Sequence, residues 1–452
     1  MSGAVAPGPE RWIIVGAGWS GLACAVEAID RGVGVTLIDA APAVGGRARR
    51  VDLRIGGADY ALDNGQHLLI GACTETLALM RRLGVDTKRA LFAQAFDLRY
   101  PDGWRLRAAR APAPLHLALG LLGARVLPWA HRAALAAWVQ RQKRLGWHLD
   151  ADRSVASLLD AQPGELVRRF WRPLCIAALN AEPEQCSARI FLNLLRLSLG
   201  GAEPDSNLLL TRQDLSATMP LAALRYLQQR GADVVLREPA LALEPRGTRW
   251  SVHLRDRNLE ADRVVLAVPA EPAARLLRSL TLPALEAAIA QLQNLRYEPL
   301  ATVYLHYAAG IGLPAPLYAL LDDPAQGRYG QWVFDRSRLD PAHGSVLGVV
   351  VGGPALRNEP DHATLCQAAC RQLRQDFGLP ASLAQRAVIE RRATLLAGVG
   401  LSRPAPRLAA AGLYLAGDAA ASDFPSTLEG SVRAGLQAAR SAAQDAPATG
   451  AA

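Results

Sequence analysis

The chain has 452 residues, of which 50% are hydrophobic and 20% are charged, with 39 glycines and 29 prolines. This apolar fraction excludes an intrinsically disordered chain, and the length excludes one small domain. The six cysteines form no CxxC pair, so a disulfide scaffold and zinc or redox motifs are not predicted, and a reducing cytoplasm is expected. Met1–Glu10 has no basic start followed by an apolar core, so we expect no secretory signal.

The first forty residues predict a nucleotide-binding unit. Residues 11–15 form an apolar strand that runs into a glycine-rich turn at residues 16–21. Apolar residues recur at helical spacing over residues 22–29, and a second strand, Val33–Ile38, ends at Asp39. Strand, glycine turn, helix, strand and acid in this order predict dinucleotide binding.

Each residue type in this unit has a physical purpose. Gly16 permits the tight turn, Gly18 lets the backbone approach a pyrophosphate, and Gly21 lets the helix pack on the strand. Free N–H groups at the helix N-terminus then face the phosphates. Asp39, 18 residues after Gly21, can accept hydrogen bonds from both hydroxyls of an adenosine ribose.

A second glycine pair, Gly45-Gly46, is followed by Arg47. The glycines permit another close approach of the backbone, and the arginine can neutralise a pyrophosphate. An ordinary surface turn is the alternative.

The net charge of +9 is concentrated in residues 103–149, which contain no Asp or Glu. The basic residues there are Arg105, Arg107, Arg110, Arg125, Arg132, Arg141, Lys143 and Arg144. The same segment holds Trp104, Trp129, Trp138 and Trp147, around the apolar stretches Leu115–Leu122 and Val126–Trp129. This pattern favours docking on an anionic membrane surface, with a solvated helical face as the alternative. No groove-reading motif accompanies the charge, so nucleic acid is not a predicted partner.

The middle of the chain predicts strands. Leu300–Leu321 is free of charged residues and long enough to cross a bilayer, but two glycines and two prolines interrupt it, so it predicts strand, turn, strand and no transmembrane helix. Further strands are predicted at Ala301–Tyr307, Gly330–Phe334 and Val346–Val351, and a helix at His362–Phe377.

Near the carboxyl end, the short strand Leu413–Ala416 runs into Gly417-Asp418. Residues 427–432 then open a helix that continues to about Ala442, and we expect the tail beyond it to be frayed.

These motifs together resemble the FAD-dependent amine oxidase and carotenoid desaturase superfamily. The matching pieces are VGAGWSGL at 15–22 with Asp39, GGRA at 45–48, DNGQH at 63–67, VVLAVPA at 264–270, and LAGD at 415–418 followed by LEGSVRAG at 428–435. Within it, NGQHLLIG at 64–71, PLCIAALN at 173–180 and DFPSTLEG at 423–430 are similar to the hydroxysqualene dehydroxylase branch of hopanoid biosynthesis.

The resemblance implies an α/β fold. It would comprise a Rossmann-like FAD-binding domain of the GR2 type, a mixed-sheet substrate domain and a helical insert. The FAD-binding domain would be discontinuous, over residues 1–95, 205–275 and 395–445. The basic helical insert would occupy residues 96–204, and the substrate-binding domain residues 276–394.

The resemblance also implies FAD as cofactor and assigns its contacts. The residues are Gly16, Gly18, Ser20, Gly21, Asp39, Gly46, Arg47, Gly65, Val235, Gly417, Asp418, Leu428 and Gly430. The backbone of Val235 would meet the adenine, and Asp418 would hold the ribityl or pyrophosphate region. Leu428 to Ser431 would present a helix N-terminus to the flavin, where about half a positive charge favours the anionic reduced state.

The flavin is expected to perform the difficult step, since no catalytic triad, nucleophile elbow or metal-ligand spacing is visible. The squalene-branch likeness implies hydroxysqualene, a C30 isoprenoid alcohol, as substrate. Its hydroxyl would leave as water and hydride from reduced FAD would quench the carbocation to give squalene. Such a membrane-dissolved substrate implies a cytoplasmic protein located peripherally on the inner face of the cell membrane.

The candidate catalytic residues are the polar groups of a motif expected beside the flavin: Asp63, Gln66 and His67. Asn180 and Asp423 are further candidates for the proton donor. For Asp63 and Asn64, capping the turn after a strand at Tyr60–Leu62 is an equal alternative.

Two other functions stay open at this point. A carotenoid-type desaturase or an amine oxidase would use the same flavin site in the opposite redox direction. A non-catalytic protein that binds prenylated cargo would share the fold but have no use for the phosphate and ribose residues. The sequence predicts neither the electron donor nor the oligomeric state.

Overall fold

The computed structural model describes residues 10–113, 115–124 and 126–445. Residues 1–9, on which the expected absence of a secretory signal rests, lie outside this range, as do Arg125 of the basic segment and the tail from residue 446.

The chain alternates short strands and helices, joined by several 3₁₀ turns and one π-helical turn at Val167–Trp171. The strands are β1 Arg11–Val15, β2 Gly34–Asp39, β3 Arg50–Ile55, β4 Ala58–Asp63, β5 Leu68–Ile70, β6 Leu91–Gln94, β7 Asp97–Arg99, β8 Arg105–Arg107, β9 Leu208–Thr211, β10 Asp233–Leu236, β11 Ala242–Arg246, β12 Arg249–His253, β13 Asn258–Ala261, β14 Arg263–Leu266, β15 Tyr297–His306, β16 Leu317–Ala319, β17 Trp332–Asp335, β18 Val346–Val351, β19 Ala384–Leu395 and β20 Leu413–Leu415. The helices are α1 Trp19–Ile29, α2 Thr74–Arg82, α3 Thr87–Ala90, α4 Leu115–Leu122, α5 Trp129–Arg144, α6 Val155–Leu158, α7 Gly164–Leu166, α8 Arg172–Leu179, α9 Ala188–Leu199, α10 Leu215–Thr218, α11 Pro220–Gln229, α12 Ala270–Arg278, α13 Glu286–Gln293, α14 His362–Phe377 and α15 Leu428–Gln444.

A five-stranded parallel sheet forms the nucleotide-binding part of the fold, in the order β10-β2-β1-β14-β20. Its strands are short apolar runs, and the central ones are buried on both faces, as parallel strands covered by helices require. This confirms the predicted α/β, Rossmann-like class. All five strands come from the three segments assigned to the FAD-binding domain, and we propose that domain division on this basis.

A second five-stranded sheet, in the order β16-β17-β18-β15-β19, is antiparallel. The strands predicted near residues 301–307, 330–334 and 346–351 all lie in it, and Leu300–Leu321 is strand, turn and strand. α14 covers the sheet and begins and ends at the predicted residues. Its Leu365, Ala369 and Leu373 pack with sheet residues such as Val303 and Val349.

The helical insert packs into a core that it shares with β9 and the antiparallel sheet, and this corrects the interpretation of its tryptophans. Trp104 and Trp138 are buried, and the Trp138 ring lies 4.4 Å from that of Trp171, centroid to centroid. Trp147 is half-buried against the same core, whereas Trp129 is 67% exposed. Core packing therefore accounts for Trp104 and Trp138, and Trp129 is the tryptophan of the insert that is largely exposed. No helix of the described ranges is long and apolar enough to cross a membrane.

Close backbone contacts join α1 to its neighbours. A Cβ on Gly21 would lie 1.7 Å from the carbonyl oxygen of Gly16, and a Cβ on Gly435 of α15 would lie 2.1 Å from that of Ser20. α1 is buried along almost its whole length between the parallel sheet, α11 and α15. Gly21 therefore lets α1 start directly against the glycine turn, and Gly435 sets the distance between α1 and α15.

We expect Gly21→Ala to destabilise the protein by about 3 kcal/mol or more, because the methyl group has no space beside the Gly16 carbonyl. Gly164→Ala is the matched control, since nothing lies within 4 Å of a Cβ there. Urea unfolding of both variants measures the difference. Equal unfolding midpoints for the two variants would contradict the packing described here.

Candidate functional site

The first turn of the site lies between β1 and α1, at the carboxyl edge of the parallel sheet. Gly16 adopts a φ of +111°, and a Cβ there would lie 2.3 Å from the carbonyl oxygen of Ala267. A Cβ on Gly18 would meet no heavy atom closer than the Cα of Gly46, at 3.8 Å. The turn is thus tightly packed at Gly16 and open at Gly18, as a backbone cradle for phosphate requires.

The second glycine pair packs directly on this turn. The Gly45 N–H donates to the Ala17 carbonyl at 2.9 Å, and Gly18 and Gly45 form an isolated β-bridge. Gly45 and Gly46 both have positive φ, +111° and +62°, which favours glycine. The triplet is therefore packed on the first glycine turn and is not an ordinary surface turn.

Asp39 ends β2 beside the turn. Its carboxylate accepts hydrogen bonds from the backbone N–H groups of Ala17 at 2.6 Å and Ala41 at 2.7 Å. Both oxygens keep a further lone pair for outside donors. The carboxylate is therefore held in a fixed position from which it can accept hydroxyl groups of a ribose.

Arg47 and Asp418 join the two ends of the chain at the site. An Arg47 guanidinium nitrogen lies 2.7 Å from an Asp418 carboxylate oxygen, and the Ser426 hydroxyl donates to the same oxygen at 2.8 Å. Arg47 also donates to the carbonyls of Arg392 and Ala393, each at 3.2 Å. The arginine predicted to neutralise a pyrophosphate is thus already paired with a carboxylate. Its contacts join the segment after the second glycine pair to β19 and to the loop after β20.

The N-terminus of α15 lies at the opposite side of the site. The Thr427 hydroxyl caps the helix by accepting from the Gly430 N–H at 3.0 Å. Glu429, in the first turn of α15, is buried. Its carboxylate accepts hydrogen bonds from the N–H groups of Glu75 and Thr76 at the start of α2. The end of α15 is therefore fixed both by its own cap and by α2.

These elements enclose a cavity of about 350 Å³ whose wall is mainly apolar but carries charged side chains such as Asp39, Arg47 and Asp418, and for these we call it the polar cavity. Ten of the thirteen residues predicted to bind the cofactor line it: Gly16, Gly18, Ser20, Asp39, Gly46, Arg47, Gly65, Gly417, Asp418 and Leu428. The other three lie behind the wall. Gly21 packs on Gly16, Val235 pairs with Ile38 inside the sheet, and a Cβ on Gly430 would lie 2.6 Å from the Pro425 carbonyl oxygen. Their contribution is to shape the wall.

Sequence reasoning missed several lining residues. Pro269, Pro272 and Arg275 follow β14, and Arg275 makes no ion pair within the described ranges. Their position could have been inferred, because the carboxyl ends of parallel strands meet at one edge of a sheet. Thr394 and Ser426 come from β19 and the loop before α15, and no local pattern marks them.

A second cavity of about 310 Å³ adjoins the first and is mainly apolar. Its wall comes from β5, β9, α8, α9 and the antiparallel sheet, with side chains such as Phe96, Phe191, Leu194, Leu208 and Phe334. The residues that line both cavities are His67, Leu300, Thr394, Ser426, Thr427 and Leu428. The polar cavity and this second, more apolar cavity therefore adjoin at these six residues, which we call the junction.

Two of the three predicted catalytic residues lie at or beside the junction. His67 lines both cavities and Gln66 lines the apolar one. The Gln66 amide donates to the hydroxyl of the buried Tyr304 at 2.8 Å and lies 3.5 Å from an Arg336 guanidinium nitrogen. Gln66 is therefore held in one orientation with its side chain at the cavity wall.

Asp63 lies elsewhere. Its carboxylate lines neither cavity, is buried, and accepts from the Leu215 N–H at 2.7 Å. A direct proton transfer from Asp63 to a bound substrate thus has no geometric support, and the alternative of a local structural role is favoured. The physical reason is that its strand, β4, turns the side chain towards α10.

The two further candidates for the proton donor, Asn180 and Asp423, lie in different cavities. Asn180 lines the apolar cavity, but its amide is fully used in bonds to Pro299, Thr394 and Gly353. Asp423 is exposed and lines a different, wider cleft. Neither one reaches the junction with a free polar group.

Burial changes the protonation of two of these groups. It lowers the pKa of His67 to about 4, so the imidazole is neutral at pH 7. Burial also raises the pKa of Asp63 to about 7, against the opposing influence of the Arg336 charge and the Leu215 N–H. Within the described residues, no group of three or more His, Cys, Asp or Glu side chains is placed to hold a metal ion.

One buried polar atom tests whether a phosphate-bearing cofactor fits. The Ser20 hydroxyl, at the start of α1, lines the polar cavity and has no hydrogen-bond partner among the described residues. A buried hydroxyl without a partner is costly, and a phosphate oxygen at the helix N-terminus would satisfy it. The residues present thus fit a dinucleotide cofactor.

Comparison with known proteins agrees with this geometry. The family model described as flavin containing amine oxidoreductase matches residues 19–443. The chain belongs to this family. It is an FAD-dependent oxidoreductase of the amine oxidase and carotenoid desaturase type, which confirms the cofactor and the family predicted from the motifs.

The most similar relatives include two curated proteins named hydroxysqualene dehydroxylase. The one from Rhodopseudomonas palustris is 28% identical over 451 residues, covering 94% of this chain and 96% of the relative. The one from Sinorhizobium fredii is 28% identical over 449 residues, covering 95% and 98%. Among solved structures, cyclohexylamine oxidase from Brevibacterium oxydans has a TM-score of 0.70 at 19% identity, covering 96% of this chain and 99% of the other, and it shows the shared fold.

We expect the stability of the wild type to fall relative to Asp63→Asn as the pH rises from 3.8 to about 7. In the folded chain the carboxyl stays protonated up to about pH 7, whereas in the unfolded chain it ionises near pH 3.8. Its stabilising contribution is therefore complete below pH 3.8 and lost as the pH rises through 7. The difference in free energy of unfolding should reach on the order of 4 kcal/mol.

Urea unfolding of both proteins between pH 4 and pH 8 measures this difference. The exposed Asp59→Asn is the control and should show no such divergence from the wild type. Parallel stability curves for wild type and Asp63→Asn would mean that Asp63 is ionised in the folded protein.

Proposed function

We propose that the protein reductively dehydroxylates hydroxysqualene to squalene. The observation that carries this proposal is the junction, the six residues shared by the walls of a mainly apolar cavity and of the cavity whose residues fit FAD. An isoprenoid needs an oily chamber beside the reacting ring, and the two full-length relatives named hydroxysqualene dehydroxylase support this substrate.

The cofactor would span the polar cavity. We propose that the turn of Gly16 and Gly18 with Ser20 holds the pyrophosphate, that Asp39 holds the adenosine ribose, and that the capped end of α15 faces the flavin ring. Reduced FAD supplies the hydride that replaces the hydroxyl. The N-terminus of α15 stabilises negative charge at the ring and so favours this reduced form.

Gln66 and His67 are the proposed residues for the leaving hydroxyl. Gln66 is fixed by Tyr304 and Arg336, so its amide can orient the hydroxyl by a hydrogen bond. A pKa of about 4 leaves His67 mostly neutral at pH 7 and makes its minor imidazolium form a strong acid. Such an acid suits protonation of a poor leaving group, which departs as water. The apolar wall excludes other water from the carbocation that remains.

The same two cavities bear on the alternative functions. The FAD site would serve a desaturase or an amine oxidase equally well, so a carotenoid-type desaturase is the second candidate, and its apolar substrate also suits the oily cavity. An amine oxidase is less favoured, because none of the six junction residues is Phe, Tyr or Trp, whereas an aromatic cage usually faces the flavin in such enzymes. The buried Ser20 hydroxyl and the fixed Asp39 carboxylate oppose a carrier that holds no flavin.

The proposed substrate also implies where in the cell the protein acts. Hydroxysqualene dissolves in lipid, so we propose that the protein acts peripherally at the inner face of the cell membrane. The basic insert supports this location through its charge and its exposed apolar residues.

Anaerobic incubation of the photoreduced protein with hydroxysqualene tests the function. We expect flavin absorbance to return as squalene forms, one for one, since one hydride is transferred for each hydroxyl lost. His67→Gln should keep its FAD but slow flavin reoxidation by roughly 100-fold, because it removes the acid while preserving a hydrogen bond.

The exposed His362→Gln is the control and should react as the wild type does. A reduced flavin that persists with hydroxysqualene, while the oxidised flavin is bleached by a carotenoid precursor or an amine, would replace this function by a desaturase or an amine oxidase. Equal reoxidation rates in His67→Gln and wild type would remove His67 from the mechanism.

A further inference from the structure

The exposed large hydrophobic side chains of the described residues are unevenly distributed. Ten of them are more than a third exposed, and six of these lie within residues 115–145. We name five of the six the docking patch: Leu115 (55% exposed), Leu119 (46%), Leu122 (56%), Val126 (67%) and Trp129 (67%). A contiguous exposed apolar surface of this kind marks an interaction site.

Helix geometry places the patch on one surface. Leu115, Leu119 and Leu122 are spaced i, i+4 and i+7 along α4, so they share its outer face. The connection to α5 carries Val126 and ends at Trp129. Arg132 fixes this connection, because its guanidinium donates to the carbonyls of Leu122, Ala124 and Leu127 and lies 4.3 Å from the centre of the Trp129 ring.

The inner face of α4 contacts the wall of the apolar cavity. The His116 side chain is buried, and its Nε2 lies 3.3 Å from the hydroxyl of Ser206, which lines that cavity. A Cβ on Gly120 would lie 2.4 Å from the Arg107 carbonyl oxygen, so α4 packs tightly on the hairpin beneath it. One short helix therefore separates the docking patch from the proposed substrate chamber.

The charge around the patch selects its partner. Arg110, Arg141 and Arg144 are exposed and form no ion pair with any described residue. The Arg105 guanidinium, by contrast, forms an ion pair with the Asp97 carboxylate, with a nitrogen–oxygen distance of 2.7 Å. An apolar surface in a segment that carries unpaired cations and no acidic residue complements an anionic lipid surface, since apolar side chains enter the acyl boundary and arginines attract the head groups.

We propose that the docking patch inserts into an anionic lipid bilayer and that the isoprenoid substrate passes from the bilayer beside α4, past Ser206, into the apolar cavity. The route of the substrate rests on the proposed function, whereas insertion of the patch does not. Lipid binding and turnover therefore give separate readouts.

Co-sedimentation with vesicles tests the insertion. The FAD-loaded wild type should bind vesicles of phosphatidylglycerol and phosphatidylcholine, and Leu119→Ser with Trp129→Ser should weaken that binding roughly ten-fold or more. The matched control is Leu241→Ser with Leu383→Ser, two equally exposed residues outside the insert, and it should bind as the wild type does. Retained FAD and an unchanged Tm verify that each variant is folded.

A charge variant, Arg141→Gln with Arg144→Gln, separates the two attractions. It should reduce binding to the anionic vesicles and abolish most of its dependence on salt, while the patch residues remain intact. Equal lipid binding by the patch variant and the control, or wild-type binding that ignores lipid charge, would overturn the proposal.

Turnover distinguishes a failure of the route from a failure of the function. With hydroxysqualene dissolved in detergent, the patch variant should match the wild type, and with substrate in vesicles it should be slower. Equal rates from vesicles would overturn the route. No turnover by any protein in detergent, with lipid binding that still follows the patch, would contradict the proposed function and support the insertion.

Discussion

The close packing of two helices against one glycine turn is the constraint on which the site depends. Gly21 of α1 lies against the Gly16 carbonyl, and Gly435 of α15 lies against the Ser20 carbonyl, at distances that leave no room for a side chain. The N-termini of both helices reach the same cavity, which Ser20 and Leu428 both line. Two partial positive charges converge there, which suits a cofactor with an anionic pyrophosphate and a ring that becomes anionic on reduction.

At the boundary between the two cavities, two kinds of binding surface meet. On one side lie hydrogen-bonding groups that can fix a dinucleotide, and on the other lies a mainly apolar wall. Four of the six junction residues are polar, and Gln66, in the wall of the apolar cavity beside them, is held by Tyr304 and the buried Arg336. An enzyme that generates a carbocation needs this division, because the ring must be close while bulk water is absent.

The sequence predicts those parts of the fold that depend on local patterns. The glycine turn with Asp39, most strands of both sheets and the bounds of α14 follow from periodicity and residue type, but β19 is not predicted. The sequence also does not predict pairings between distant residues. Arg47 meets Asp418 across most of the chain, Asp63 meets Leu215, and Trp104 and Trp138 turn inward because the insert shares a core with the antiparallel sheet. Composition alone could not distinguish a tryptophan in a core from one on a lipid-facing surface.

A crystal structure of the FAD-loaded protein with bound squalene tests the central claim most directly. The account predicts a flavin ring at the junction, between His67, Leu300 and Leu428, with the hydrocarbon in the apolar cavity against one face of the ring. A ring located away from this boundary, or a hydrocarbon bound where it does not touch the ring, would contradict it.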